Sequence, residues 1–168
     1  MTEFGGVRLL AENPEIIPTL ADWYKNEWPD WFADTPLAEI ESDFRDVANR
    51  DRLPLALAAF DNATRLLGVC SIRDHAFEAY PHGGPWLRGL YVHHPYRGQG
   101  VAEKLIRAAC EHAARLQIAK LYAATHSAVS TFERADWLDV QVSDPYFLNP
   151  LIRKNVDGLK CLNVIIRR

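Results

Sequence analysis

The sequence predicts a mixed α/β fold, a mostly antiparallel sheet with helices on both faces. Three observations carry the prediction. Apolar runs of strand length recur along the chain, and one pair is joined by a turn alone. Two segments ahead of that pair space their apolar residues every three to four positions, as amphipathic helices do. One strand–loop–helix–strand unit, near residues 85–125, has the length that a parallel crossover needs.

Each element has a local reason. "VRLL" (7–10) reads as a short first strand. Asn13-Pro14 opens a helical stretch with Ile16, Ile17, Leu20 and Trp23 or Tyr24 along one side. Pro29 breaks it within "NEWPDWFADT" (26–35). Thr35-Pro36 offers an N-cap followed by proline at the first helical position, and Leu37, Ile40, Phe44 and Val47 follow at helical spacing. "LPLALAAF" (53–60), a turn at Asp61-Asn62 and "LLGVCSIR" (66–73) make an antiparallel hairpin. After the looser "DHAFEAYPHGG" (74–84), "PWLRGLYV" (85–92) is a further strand. A glycine loop leads into a helix from about Val101 to Leu116, with Leu105, Ala109, His112, Ala113 and Leu116 as its stripe. "AKLYAAT" (119–125) is a buried strand and "SAVSTFERA" (127–135) a short helix. "WLDVQV" (137–142) and "LKCLNVII" (159–166) close the chain as strands.

The 168 residues suggest one domain, 1–168. No run of about 18 apolar residues predicts a membrane span, and the N-terminus lacks a signal-peptide pattern, so a cytoplasmic protein without a membrane partner is expected. Cys70, Cys110 and Cys161 are far apart and flanked by apolar residues, as buried free thiols are, and no zinc spacing occurs. The net charge of −3 is too mild for a nucleic-acid partner. Its distribution is uneven. Residues 1–60 hold 12 acidic and 5 basic side chains; residues 61–168 hold 10 and 14. An acidic first part suits a cationic ligand and a basic second part an anionic one.

The most informative stretch is "PYRGQGVAEKL" (95–105). A helix N-terminus presents unpaired N–H groups and about half a positive charge. Glycines let an anion approach that backbone, and Arg97 adds a guanidinium fork. A P-loop is excluded by the glycine spacing and the missing Lys-Ser/Thr. A dinucleotide fingerprint is excluded because only two glycines occur and the loop follows several antiparallel strands.

Taken whole, "WLRGLYVHHPYRGQGVAEKLIRAACEHA" resembles the central motif of the GNAT superfamily of N-acetyltransferases, with Arg97, Gly100 and Ala102 filling its Arg/Gln-x-x-Gly-x-Gly/Ala pattern. "AKLYAAT" is similar to that family's fifth strand and "AVSTFERADW" to its following helix, with Ala128, Glu133 and Trp137 in register. The resemblance spans about residues 7–142 and is strongest over 86–137. It implies a GNAT-like acyl-CoA N-acyltransferase fold with acetyl-CoA between the fourth and fifth strands. By the same resemblance, Gln99, Gly100, Val101 and Ala102 would hold the pyrophosphate, with Arg97 and Gly98 at the rim. Leu90 and Val92 would offer backbone groups to the pantetheine, and the amide next to Tyr91 would face the thioester oxygen, where negative charge builds. Thr125 and Phe132 would border the thiol arm.

The chain departs from the family where an acid and a base are usual. Phe132 stands where a tyrosine usually protonates the leaving thiolate, and Asp136 replaces a glycine. Trp86 and Arg88, the cleft-facing residues of the fourth strand, are not bases at neutral pH, and Arg88 would instead contact a substrate carboxylate or orient a water. Glu27 is the first candidate base and His75 the second; Asp74 and His126 are further candidates. His93 and His94 are expected at the surface. Trp28 and Trp31, with Trp23, Phe32 and Tyr80, would wall an acceptor pocket suited to a cationic amine. The expected reaction is acetyl transfer to a primary amine of a small cationic molecule or of a peptide or protein. The alternatives are a non-catalytic acyl-CoA sensor and, more remotely, a different nucleotide in the loop. "CLNVII" suggests an edge or exchanged strand and hence a homodimer.

Overall fold

The computed structural model describes residues 2–74, 84–125, 127–140 and 163–167. In chain order these form β1 (Phe4–Leu9), α1 (Ile17–Glu27), α2 (Pro29–Phe32), α3 (Leu37–Asp46), β2 (Leu55–Asp61), β3 (Leu66–Arg73), β4 (Trp86–Val92), α4 (Val101–Arg115), β5 (Leu121–Thr125), α5 (Val129–Arg134), β6 (Leu138–Val140) and β7 (Asn163–Arg167). Seven strands make one sheet in the order β1-β2-β3-β4-β5-β7-β6. Among the described residues only β4 and β5 run parallel. The fold class is as expected. The strand β7 is not an edge, because it pairs with β5 on one side and β6 on the other. No described helix is long and apolar enough to cross a membrane.

The sheet is covered on both faces. On one face, α4 lays Val101, Leu105, Ile106, Ala109 and Ala113 against Leu57, Cys70 and Leu87, joined by Phe132 and Trp137. On the other, Ile17, Leu20 and Ala21 of α1 meet Ile40 and Phe44 of α3 over Ala56, Val69 and Tyr91. The strand β2 is therefore buried along its whole length. Each large apolar side chain so enclosed contributes on the order of 1.5–3 kcal/mol. The α4 stripe differs from the expected one at one place: His112 is half-buried beside Arg115, while Ile106 is enclosed.

Two local expectations are corrected. Thr35 does not cap α3; the helix begins at Leu37 with Pro36 at its N-cap and no side-chain cap bond. The Thr35 carbonyl instead accepts Lys25 Nζ at 2.6 Å, and the same ammonium reaches the carbonyls of Ala33 and Phe32 at 3.1 and 3.3 Å. Lys25 thus fastens the end of α2 to α1 through three carbonyls at and beyond the end of that short helix. The residues after Pro29 also form a helical turn, α2, rather than a plain break.

Candidate active site

The fourth strand organises the site because it changes phase midway. Its register with β3 shifts between Val69/Tyr91 and Ser71/Arg88, and Gly89 has φ +60°. A bulge of this kind inserts one residue and flips the faces beyond it. Leu87, Leu90 and Val92 consequently pack toward α4, and Tyr91 joins Arg88 and Trp86 on the side of α1 and α3. The Tyr24 hydroxyl donates a short hydrogen bond to the Gly89 carbonyl and locks the bulge. A Cβ at Gly89 would collide with that hydroxyl oxygen, so both the space and the backbone conformation require glycine. Burial raises the Tyr24 phenol far above its ordinary value, leaving it a neutral donor.

Beside the bulge the sheet opens. The parallel pairing of β4 with β5 covers Trp86–Tyr122 and Leu87–Ala123 and goes no further, while β5 continues along β7 to Thr125. From Arg88 onward β4 turns an edge toward the gap, and its end leads into the glycine loop. There Gly98 and Gly100 have φ +74° and +77°, and Gly100 is the N-cap of α4. A Cβ at either would meet nothing within 4 Å. Packing therefore does not demand these glycines; the left-handed backbone and an uncovered N–H surface do. The first helical bond is Lys104 N–H to the Gly100 carbonyl, and among the described residues no acceptor sits on the N–H groups of Gly98, Gln99 or Gly100. The loop is tethered at its side: Gln99 accepts the Thr2 N–H and donates to the Pro95 carbonyl. This bare cradle fits a pyrophosphate.

Arg97 and Glu27, given separate roles by the sequence, come together. Arg97 Nε donates to the Val92 carbonyl at 2.8 Å and Nη2 to Glu27 at 2.9 Å, and its guanidinium lies 5.5 Å from the Tyr91 ring centre. His94 Nε2 is 3.7 Å from the same carboxylate. Arg97 thus ties the loop to the end of β4 and to α1. His93 is not at the surface as expected. It is half-buried, its ring stacked on Trp23 at 4.3 Å, with Nδ1 3.3 Å from the Tyr91 hydroxyl. Burial, then His94 and Arg97, hold it below the ordinary histidine value, whereas burial and Glu27 push the Tyr91 phenol up.

On the α1–α3 side a cavity of about 590 Å³ ends on Arg88 and Gly89. Tyr24, Trp28, Trp31 and Phe32 form its aromatic wall, and Trp31 is 57% exposed at the mouth. Glu39 and Asp43 enter from α3, and Ser71, Arg73 and Trp86 from the sheet. Arg73 grips both Asp43 oxygens at 3.0 and 2.6 Å. Ser71 Oγ donates to the Arg88 carbonyl at 3.2 Å. The acidic excess of the first 60 residues is therefore not concentrated here.

The remaining candidates fall as follows. Phe132 is buried against Trp137, ring centres 4.8 Å apart, with no polar atom to offer. Thr125 Oγ1 accepts the Ala128 N–H ahead of α5. Asp136 takes φ +64°, the conformation for which the family's glycine is suited, and bonds Arg107. Cys70 is buried, with burial pushing its thiol up, and Cys110 is half-buried. Glu27 is not among the cavity-lining residues. His75, Tyr80, His126 and Cys161 lie outside the described residues. Sequence reasoning missed Tyr24, Asp43 and Arg73 as site residues. A partial signal existed in "CSIR", where Ser71 and Arg73 alternate with apolar neighbours, and in Glu39 and Asp43 at i, i+4.

The sheet opens beside a phase-shifted strand, between a bare helix entrance suited to an anion and an aromatic cavity suited to a second small molecule. The acetyltransferase (GNAT) family model matches residues 17–136, and the chain belongs to that family. It is an N-acetyltransferase whose acetyl donor is acetyl-CoA. Solved structures share the fold at low identity. An aminoglycoside 6'-acetyltransferase type Ii is 19% identical with a TM-score of 0.67, covering 96% of this chain and 95% of its own. An aminoglycoside 6'-N-acetyltransferase complexed with coenzyme A is 16% identical with a TM-score of 0.69 over the same shares. A spermidine N-acetyltransferase chimera from Vibrio cholerae and hSSAT is 18% identical with a TM-score of 0.62, covering 95% and 92%. No curated protein matches in sequence.

Proposed function

We propose that the protein acetylates a primary amine of a small molecule, or of a peptide or protein, by direct attack of the neutral amine on the thioester. One observation carries this reading. A single bulged strand serves both partners: Arg88 and Gly89 end the aromatic cavity, while the following residues border the opened sheet and run into the glycine loop. The acceptor would enter beside Trp31, and its amine would reach the strand edge near Gly89. Acetyl-CoA, when bound, supplies an acetyl thioester with a thiolate leaving group. The N–H groups from Gln99 to Ala102 would hold its pyrophosphate, and the amide next to Tyr91 is the proposed donor to the thioester oxygen.

The proton economy follows from the side chains present. Tyr24 and Tyr91 are neutral phenols in this setting. Asp43 is held by Arg73, so Glu39 at the cavity mouth is the lining carboxylate placed to take the amine proton, directly or through water. Glu27 serves as a positioning residue that sets Arg97. No phenol stands at Phe132, so the thiolate leaves without that acid. The test is thiol release from acetyl-CoA across a panel of amines. At least one amine should raise release well above hydrolysis, with the N-acetyl product identified by mass. Binding of CoA with no acceptor turned over would overturn the reading in favour of a sensor.

A further inference from the structure

The acceptor cavity is unusual in its cations. A pocket for a polyamine or another polycation needs carboxylates with open oxygens. Among the described residues this one is lined by two guanidiniums, Arg73 and Arg88, and two carboxylates, Glu39 and Asp43. Both oxygens of Asp43 accept from Arg73, and Glu39 is exposed. Arg88 projects from the strand that carries the bulge, on the same face as Trp86, and is half-buried beside Arg73 and Tyr24. Burial and the neighbouring Arg73 work against its charge, while Asp43 and Tyr24 favour it. A carboxylate brought into the cavity would add a counter-charge beside the two guanidiniums. A guanidinium has five donors in a planar fork, more than any one neighbour can use, and it matches a carboxylate bidentately. The volume of about 590 Å³ suits a small molecule and not a folded partner.

We propose that the acceptor is a small amphoteric amine, an amino-carboxylate whose carboxylate is received by Arg88 at the base of the cavity while its body lies against Trp28 and Trp31. The amine, held close to that carboxylate by its own short chain, then lies at the strand edge near Gly89 and passes its proton to Glu39 through water, and the Arg73–Asp43 pair fixes the flank of the carboxylate site. This deepens the acetyl-transfer reading and rests on it.

The test uses matched triplets: each common amino acid, its amide and its decarboxylated amine, assayed by thiol release with acetyl-CoA. The carboxylate forms should exceed their amides at least tenfold in kcat/KM, mainly through KM. Arg88→Gln should collapse that ratio toward one, and Arg88→Lys should keep part of it. Calorimetry with the best amino acid and no acetyl-CoA should show binding that Arg88→Gln abolishes. A folded Arg88→Gln that keeps the full preference overturns the proposal, as do amides or polyamines turned over as well as or better than the carboxylates; in those cases the N-acetyltransferase reading stands. If CoA binds and no member of any triplet is acetylated, but other amines are, the amphoteric class alone fails. If no amine of any kind is acetylated, the reading beneath it fails too.

Discussion

The two ends of β4 are built from different materials. Its exit is a cradle of backbone, set by two glycines within three residues and with open space where their side chains would be. Its middle is a lattice of side chains drawn from distant parts of the chain: Tyr24 of α1 on Gly89, Asp43 of α3 on Arg73, Ser71 of β3 on the Arg88 carbonyl. The exit can be altered with little consequence for the core beneath it. The middle cannot, because the same contacts hold the bulge and shape the cavity. Binding of acetyl-CoA should therefore separate from stability by mutation, whereas acceptor recognition should not.

The largest effect is expected at Gly89. Alanine there is strained at φ +60°, at a cost of roughly 1–2 kcal/mol. Its Cβ would also displace the Tyr24 hydroxyl and strip the Gly89 carbonyl of its donor, costing roughly 1–3 kcal/mol. Gly89→Ala should lose about 3 kcal/mol in urea denaturation and most acetyl transfer with it. A stable variant with full turnover would break the claim that fold and acceptor site are one structure.

Gly100→Val examines the other end. The side chain meets no protein atom, so stability should fall only by backbone strain, roughly 1–2 kcal/mol. The Kd for CoA should rise at least tenfold, about 1.4 kcal/mol, through obstruction of the cradle. Calorimetry and a denaturation curve on one preparation give both numbers. An unchanged Kd would remove the loop from the cofactor site.

This division also explains what could be read from the sequence. The cradle was legible because its cause is local: glycine spacing, an apolar strand before it and a helical stripe after it. The sheet, with one parallel pair among the described strands, was legible for the same reason. The phase change in β4 was not, since "LRGLYV" gives no sign of where a bulge falls, and the bulge decides that Tyr91 rather than Leu90 shares a face with Arg88. Arg73 and Asp43 are 30 residues apart, and nothing short of the packing of α3 on the sheet joins them. Glu27 is expected at an acceptor site because the "NEWPDW" loop between the first two helices borders one in the family it resembles; the structure gives its carboxylate to Arg97, 70 residues away.

The Glu27–Arg97 pair bridges the two ends, and a double-mutant cycle measures how much. Both side chains are partly exposed, so a coupling of roughly 0.2–1 kcal/mol is expected. Arg97→Ala, which also loses the Val92 carbonyl, should weaken CoA binding more than Glu27→Gln does. The two together should cost less than their separate effects. Strict additivity would mean that Glu27 acts elsewhere, and a fall in kcat at saturating acetyl-CoA in Glu27→Gln would return it to proton transfer.

The smallest effect concerns His93, which lies between the ends, stacked on Trp23 and next to the Tyr91 hydroxyl. Its folded-state pKa lies below that of the unfolded chain, chiefly through burial. Between the two values the unfolded chain binds more protons, so stability rises with pH across that window. The contribution is intact above the ordinary histidine value of about 6.5 and is lost as the pH falls below it. Replacing His93 by phenylalanine keeps a flat ring on Trp23 and removes the titration. As pH falls from about 7 to 5, the Tm of the unaltered protein should drop more steeply than that of His93→Phe, by a degree or two, and the curves should run parallel above about 7. Bound CoA then assigns the residue. If the histidine is not coupled to the bound anion, saturating CoA should leave its apparent pKa unchanged. If protonation instead strengthens CoA binding at low pH, His93 belongs with Arg97 among the cations that serve the anion, and the boundary between the two ends moves upstream to Tyr91.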